Sequence, residues 1–175
     1  MQTVWMGYLV LYLRDVVGVS LLAAGGYLAL AQASGMAGRV AFGVLSDRVF
    51  GGRRRAPLLL AGVGSALCSL AMAWTGPGTD GLWLTVLALV FGFVGIGWNG
   101  VQHTLMAELA GPHAAGTALG FGLAVSSAGV TLAPPIFGWC VTLAGGYRPV
   151  WIGLALTMAG ALALLAVVRE RRPFM

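Results

Sequence analysis

Charge is scarce in this chain, and one kind of it is missing. Only 9% of the residues are charged, where a soluble globular domain carries about a quarter. There is no lysine, so the formal charge of +5 rests on arginine alone. Acidic residues number five: Asp15, Asp47, Asp80 and Glu108 stand at the ends of apolar runs, and Glu170 is in the tail. No carboxylate interrupts an apolar run, and the sequence offers no paired internal acids, no nucleophile with a base and no metal-ligand spacing, so neither an enzyme site nor a cofactor is expected. Cysteine is almost absent as well. Cys68 and Cys140 are far apart, form no disulfide framework or metal pattern, and read as small apolar fillers.

Apolar residues fill the space that charge leaves. At 59% hydrophobic residues and a mean hydropathy of +0.91, the chain has too little polar surface to coat a soluble globule. Runs of about 20 apolar residues mark membrane-spanning helices. Five full spans are expected, at 18–45, 57–75, 82–107, 113–143 and 149–168. A sixth apolar segment, 1–13, reaches only ~20 Å as a helix, short of the ~30 Å hydrocarbon core. It reads as the end of a helix truncated at its N-terminus, or as an unusually short and tilted one. The opening MQTVWMGYLVLYLRD lacks the basic leader of a secretory signal. The fold class expected is an all-α polytopic membrane protein, a single bundle over 1–175.

A pI near 10.0 would point a soluble chain toward nucleic acid, but the positions of the arginines point elsewhere. Arg48, Arg53, Arg54 and Arg55 fall in one connection and Arg169, Arg171 and Arg172 in the tail, whereas the opposite connections hold only Arg14 and Arg148. Basic loops stay cytoplasmic. The loop 46–56 and the C-terminus are therefore expected inside, the connections 14–18, 76–81 and 144–148 outside, and alternation puts the Glu108–Pro112 connection inside too.

Pro57, Pro112 and Pro149 punctuate the starts of spans, where a missing N–H costs little. Pro134 and Pro135 differ, because they sit inside a span and are expected to break or kink it, as a structural bend or as a gate. Much of the glycine lies within spans: Gly25, Gly26, Gly35, Gly38 and Gly43, then Gly92, Gly95, Gly97 and Gly100, then Gly116, Gly120 and Gly122. Small faces such as Gly116-x-x-x-Gly120 are expected to let helix backbones approach.

The densest charge lies in GVLSDRVFGGRRRAP, residues 43–57. Gly43, Asp47 and Arg48, followed by Gly51 and Gly52 and then Arg53 and Arg54, resemble the cytoplasmic loop signature of the major facilitator superfamily, with one extra residue before the glycine. The superfamily has twelve helices in two six-helix halves, with this signature between the second and third helix of each half. With one partial and one full span before it and four after it, the chain resembles the C-terminal half, helices seven to twelve. That resemblance implies transport of a small solute by alternating access, active or facilitative, as a permease of the bacterial cytoplasmic membrane. It also implies a gate at Gly43, Asp47, Arg48, Gly52, Arg53 and Arg54. Asp47 is expected to pair with Arg48 or Arg39, or to face a helix N-terminus; the resemblance places it in a charge cluster that locks the cytoplasmic side, with the helix end it would meet in the missing half. Arg53 to Arg55 are expected to hold the loop at the anionic membrane face. The partners implied are the lipid bilayer, a small-molecule substrate, and the missing N-terminal half or a second copy, with no nucleic acid. A non-transporting membrane interaction module or an inactive fragment is the rival reading.

Polar side chains inside spans are costly and face a bundle interior or a wet cavity. Gln32 and Arg39 share a helical face with Leu28 and Gly35, and Asn99, Gln102, His103 and Met106 share another. Arg39 reads either as a structural arginine linked to Asp47 or as an anion-binding group. His103 reads as an interhelical hydrogen bonder or a proton relay, and Asn99 and Gln102 as cavity-facing hydrogen bonders. Trp5, Tyr8 and Tyr12 recur at helical spacing, for packing or to line a substrate path.

Overall fold

Gly18 and Ser20 determine where the first long helix begins. Gly18 takes φ 84°, the left-handed conformation that terminates the helix before it. The Ser20 hydroxyl then accepts the Ala23 amide at 3.2 Å and caps the next one. The structure, a computed structural model, describes residues 1–167. The described elements are all helical: α1 (Gln2–Tyr12), α2 (Leu21–Arg48), α3 (Arg55–Trp74), α4 (Gly81–Phe91), α5 (Asn99–Ala110), α6 (Ala115–Leu143) and α7 (Tyr147–Val167). Two π-helical turns join them, Leu13–Val17 after α1 and Gly92–Ile96 between α4 and α5. Five stretches are long and apolar enough to cross a membrane: α2, α3, Gly81–Ala110, α6 and α7. The chain is an integral membrane protein.

Several boundaries differ from those expected, for local reasons. The run expected at 1–13 continues through the π-helical turn to Val17, still only ~24 Å of helix. The span expected at 18–45 starts at Leu21 behind its serine cap and runs on to Arg48. Gly43, Asp47 and Arg48 are thus on the last turns of α2, and the connecting loop is shorter than 46–56. Pro57 and Pro149 fall inside the first turns of α3 and α7, which begin at Arg55 and Tyr147. Residue 168, Glu170, Arg169, Arg171 and Arg172 lie outside the described residues, and with them the expected C-terminal side.

The expected break at Pro134 and Pro135 does not interrupt α6, which runs unbroken from Ala115 to Leu143. Proline's fixed φ is compatible with a helix; what is lost is two amide donors, those that would serve the carbonyls of Val130 and Thr131. The carbonyl of Pro134 itself accepts a bond from the Tyr8 hydroxyl at 2.9 Å.

Backbone-to-backbone packing occurs at one seam, between α2 and the span running from α4 through its π-helical turn. A Cβ on Gly92 would overlap the Ala31 carbonyl oxygen, and one on Gly38 would overlap the Phe93 carbonyl oxygen. In lipid such close approach drives association. Gly116 and Gly120, expected to do the same, have no neighbour within 4 Å of that position. Sequence spacing cannot tell a glycine at a seam from one on an open face.

The core gathers around α1. Trp5 stacks on Phe91 with ring centroids 3.8 Å apart and donates its indole N–H to the Ser69 hydroxyl at 2.9 Å. Trp151, Tyr12 and Phe137 close around it. α3 and α7 form the most extensive helix pair, with Gly62 against Leu162.

Contacts also identify the two ends of the bundle. At one end Arg54 reaches Glu108, and Arg55 reaches the Ala166 carbonyl. At the other, the Tyr12 hydroxyl meets the Thr75 carbonyl at 2.5 Å, and the Arg148 guanidinium lies 5.2 Å from the Trp74 ring.

Candidate functional site

The end of α2 and the loop after it fold back on themselves. Gly51 and Gly52 take positive φ of 57° and 78°, a conformation that side chains disfavour. That double left-handed turn lets the Gly52 amide reach the Ser46 carbonyl at 2.9 Å and delivers Arg54, the residue preceding α3, over the end of α2.

Arg54 is the centre of the resulting cluster. Its guanidinium pairs with the Asp47 carboxylate, donates to the Ser46 hydroxyl at 2.9 Å, and bonds Glu108 on α5 at 3.1 Å from both Nε and Nη2. Three elements are joined by one fork of donors, which is the geometry a guanidinium supplies and an ammonium does not. The Arg54 side chain is only 16% exposed, while Asp47 and Glu108 remain 62% and 42% exposed. Burial works against the Arg54 charge, but its hydrogen bonds and proximity to Glu108 and Asp47 outweigh it and hold the guanidinium above its ordinary value.

Within this chain the partner of Asp47 is therefore Arg54, not Arg48 or Arg39. Arg48 is about 100° round the helix from Asp47, and Arg39 is more than two turns up it. The arginines expected to act together at the membrane face are also divided. Arg54 points inward, Arg55 reaches the end of α7, and Arg53 and Arg48 are exposed. Gly43 is half-buried on α2, and Gly52 serves the turn. Glu108 did not stand out in the sequence as more than a carboxylate at a span end. The available signal was alternation, which puts its connection at the same end as the arginines.

The residues within the spans do not form one cluster. Along α2 the buried positions are Ala24, Ala31, Gly35, Gly38, Phe42 and Ser46. Gln32 and Arg39 flank that seam and are exposed, as is Met36 at 69%. Arg39 has no hydrogen bond or ion pair among the described residues. It lies nine residues before the end of α2, about 13 Å along the helix. Asn99 donates to the Gln2 side-chain carbonyl at 3.2 Å, linking α5 to α1, a partner that sequence reading passed over. Gln102 and His103 are half-buried without a hydrogen-bond partner among the described residues, so the interhelical bond expected of His103 is not made. Tyr12 is 2% exposed, with its hydroxyl on the Met72 and Thr75 carbonyls. That burial removes it from any open path and makes it a tie between α1 and α3. Tyr8 is half-buried and bonded to α6. Among the described residues no group of three His, Cys, Asp or Glu could hold a metal.

The family model described as Major Facilitator Superfamily matches residues 1–129, a stretch holding the whole Arg54 cluster and the glycine seam. The chain belongs to the major facilitator superfamily. Its relatives are named as transporters, not enzymes. One, an uncharacterised transporter of this superfamily from Mycobacterium tuberculosis, is 31% identical over 95% of this chain and 35% of its own length. Another, a probable sulfoacetate transporter from Cupriavidus necator, is 32% identical over 94% of this chain and 39% of its own length. A third, monocarboxylate transporter 13 of Rattus norvegicus, is 32% identical over 91% of this chain and 36% of its own length. The chain thus spans a little over a third of the length of these three relatives.

Proposed function

We propose that this chain acts as the C-terminal six-helix body of a twelve-helix transporter that carries a small organic anion by alternating access, with the Arg54 cluster at its cytoplasmic end. The observation that carries the reading is Arg39. A charged side chain within a span is expensive and marks a function by default, and this one is exposed beside the α2 seam without an acid to neutralise it. Two of the relatives are named for sulfoacetate and monocarboxylates, which are anions of the charge Arg39 would attract. The arginines at the Arg48–Arg55 end outnumber those at the Arg14 and Arg148 end, which supports a cytoplasmic placement for the former.

In this fold the solute binds near the midplane between repeats, so six helices present half a cavity. Arg54, tied to Asp47 and Glu108, keeps the ends of α2 and α5 together as that body rocks. The test is uptake of labelled sulfoacetate and of a small monocarboxylate into proteoliposomes. The chain alone is expected to match empty vesicles, and the chain with a complementary six-helix half is expected to transport, with Arg39→Gln abolishing that uptake. Transport by the monomeric chain alone overturns the half-site, and anion uptake that survives Arg39→Gln overturns the role of the arginine.

A further inference from the structure

α6 is the span least held by its neighbours. Only Gly122 and Phe137 along its length are buried, and its one side-chain hydrogen bond to another element among the described residues comes from Tyr8 on α1. The Tyr8 hydroxyl donates to the Pro134 carbonyl at 2.9 Å, its ring lies 4.7 Å from that of Phe137, and the hydroxyl occupies the space a Cβ on Gly138 would take. Directly before this contact the helix is at its weakest, because Pro134 and Pro135 give no N–H to the carbonyls of Val130 and Thr131. The Thr131 hydroxyl does not compensate, since it donates to the Ser127 carbonyl at 3.0 Å. A weak turn and the tie that spans to α1 therefore coincide, supplied by different elements.

We propose that Tyr8 is a positioning residue that latches α6 to α1 at a double-proline hinge. With the bond made, the C-terminal part of α6, residues 136–143, stays against α1. With it broken, that part swings on Pro134 and Pro135 while the part packed on α5 stays in place. The latch is independent of the solute carried and of the orientation in the membrane.

Cys140 is a native reporter, half-buried two residues beyond Gly138, whereas Cys68 is only 4% exposed. The experiment is the rate of Cys140 alkylation by N-ethylmaleimide, read by mass spectrometry on the whole chain in nanodiscs. Tyr8→Phe keeps the ring and is expected to raise the rate about fivefold, the change in open population from one hydrogen bond of ordinary net strength. Gly138→Ala, which fills the notch, should do the same. Adding Pro134→Ala and Pro135→Ala to Tyr8→Phe restores both amide donors and should return the rate toward that of the unaltered chain; a triple variant that stays fast removes the hinge. An unchanged rate in both single variants overturns the latch. So does equal acceleration at a second reporter, Ala118→Cys in the α5-packed part of α6, because that is general loosening.

Discussion

Replacing Arg54 with alanine takes away the partner of two carboxylates at once. The cost is set by what is left behind. Asp47 and Glu108 are 62% and 42% exposed, so both stay hydrated and escape the heavy penalty of a buried orphan charge. Two screened pairs at ~0.2–1 kcal/mol each, and one charged hydrogen bond to Ser46 at ~1.5 kcal/mol, put Arg54→Ala at about 2–3.5 kcal/mol. Glu108→Gln alone should cost about 0.5–1 kcal/mol. Arg54→Lys should fall between the two, because a lysine keeps the charge but cannot fork across Asp47 and Glu108. The assay is a double-mutant cycle of Arg54→Ala and Glu108→Gln, read by denaturation of the purified protein in detergent micelles. A coupling of about 0.5–1 kcal/mol is expected at low salt, shrinking near 1 M salt, where the screening length falls to ~3 Å. Strict additivity at low salt would refute the argument that one guanidinium clamps α2 to α5.

Two further outcomes follow from the packing and the charges. Gly92→Val forces a side chain into the Ala31 carbonyl and should cost at least about 1–3 kcal/mol, whereas Gly120→Ala, with open space around it, should stay within about 0.5 kcal/mol of the parent; the same denaturation assay separates them. Asp15 is held below its ordinary value by the side-chain hydrogen bond from Arg14, so the pairing contributes above the ordinary carboxylate range and is lost as pH falls through the lowered value. An NMR titration of Asp15 should show the depressed midpoint, and Arg14→Gln should move it back up.

Legibility in the sequence followed the physics of each feature. Apolar runs are long-range averages, so the five spans and the short first helix could be read directly, with ends displaced where a cap such as Ser20 or a π-helical turn acts locally. The glycine seam was legible as a kind of interaction but not as a place, because Gly92 and Gly120 look alike until α2 is laid against one of them. The loop signature named Asp47 and Arg54 without joining them. Their pairing depends on the double positive-φ turn at Gly51 and Gly52, and the third member, Glu108, is 54 residues further along. Pro134 and Pro135 were legible as missing donors, whereas the continuity of α6 and the hydroxyl of Tyr8 depend on tertiary contact.

The orientation proposed for the helical body, with the Arg54 cluster facing the cytoplasm, is open to a direct test. Ser46 is fully buried and hydrogen-bonded, so it is a poor labelling site, whereas Val49 and Pro77 are exposed at opposite ends. The direct measurement is labelling of Val49→Cys and Pro77→Cys, each in a Cys140→Ser background, with an impermeant maleimide on intact cells. Labelling of Pro77→Cys in intact cells, with Val49→Cys reacting only after lysis, is the predicted result. Labelling of Val49→Cys but not Pro77→Cys in intact cells would contradict it.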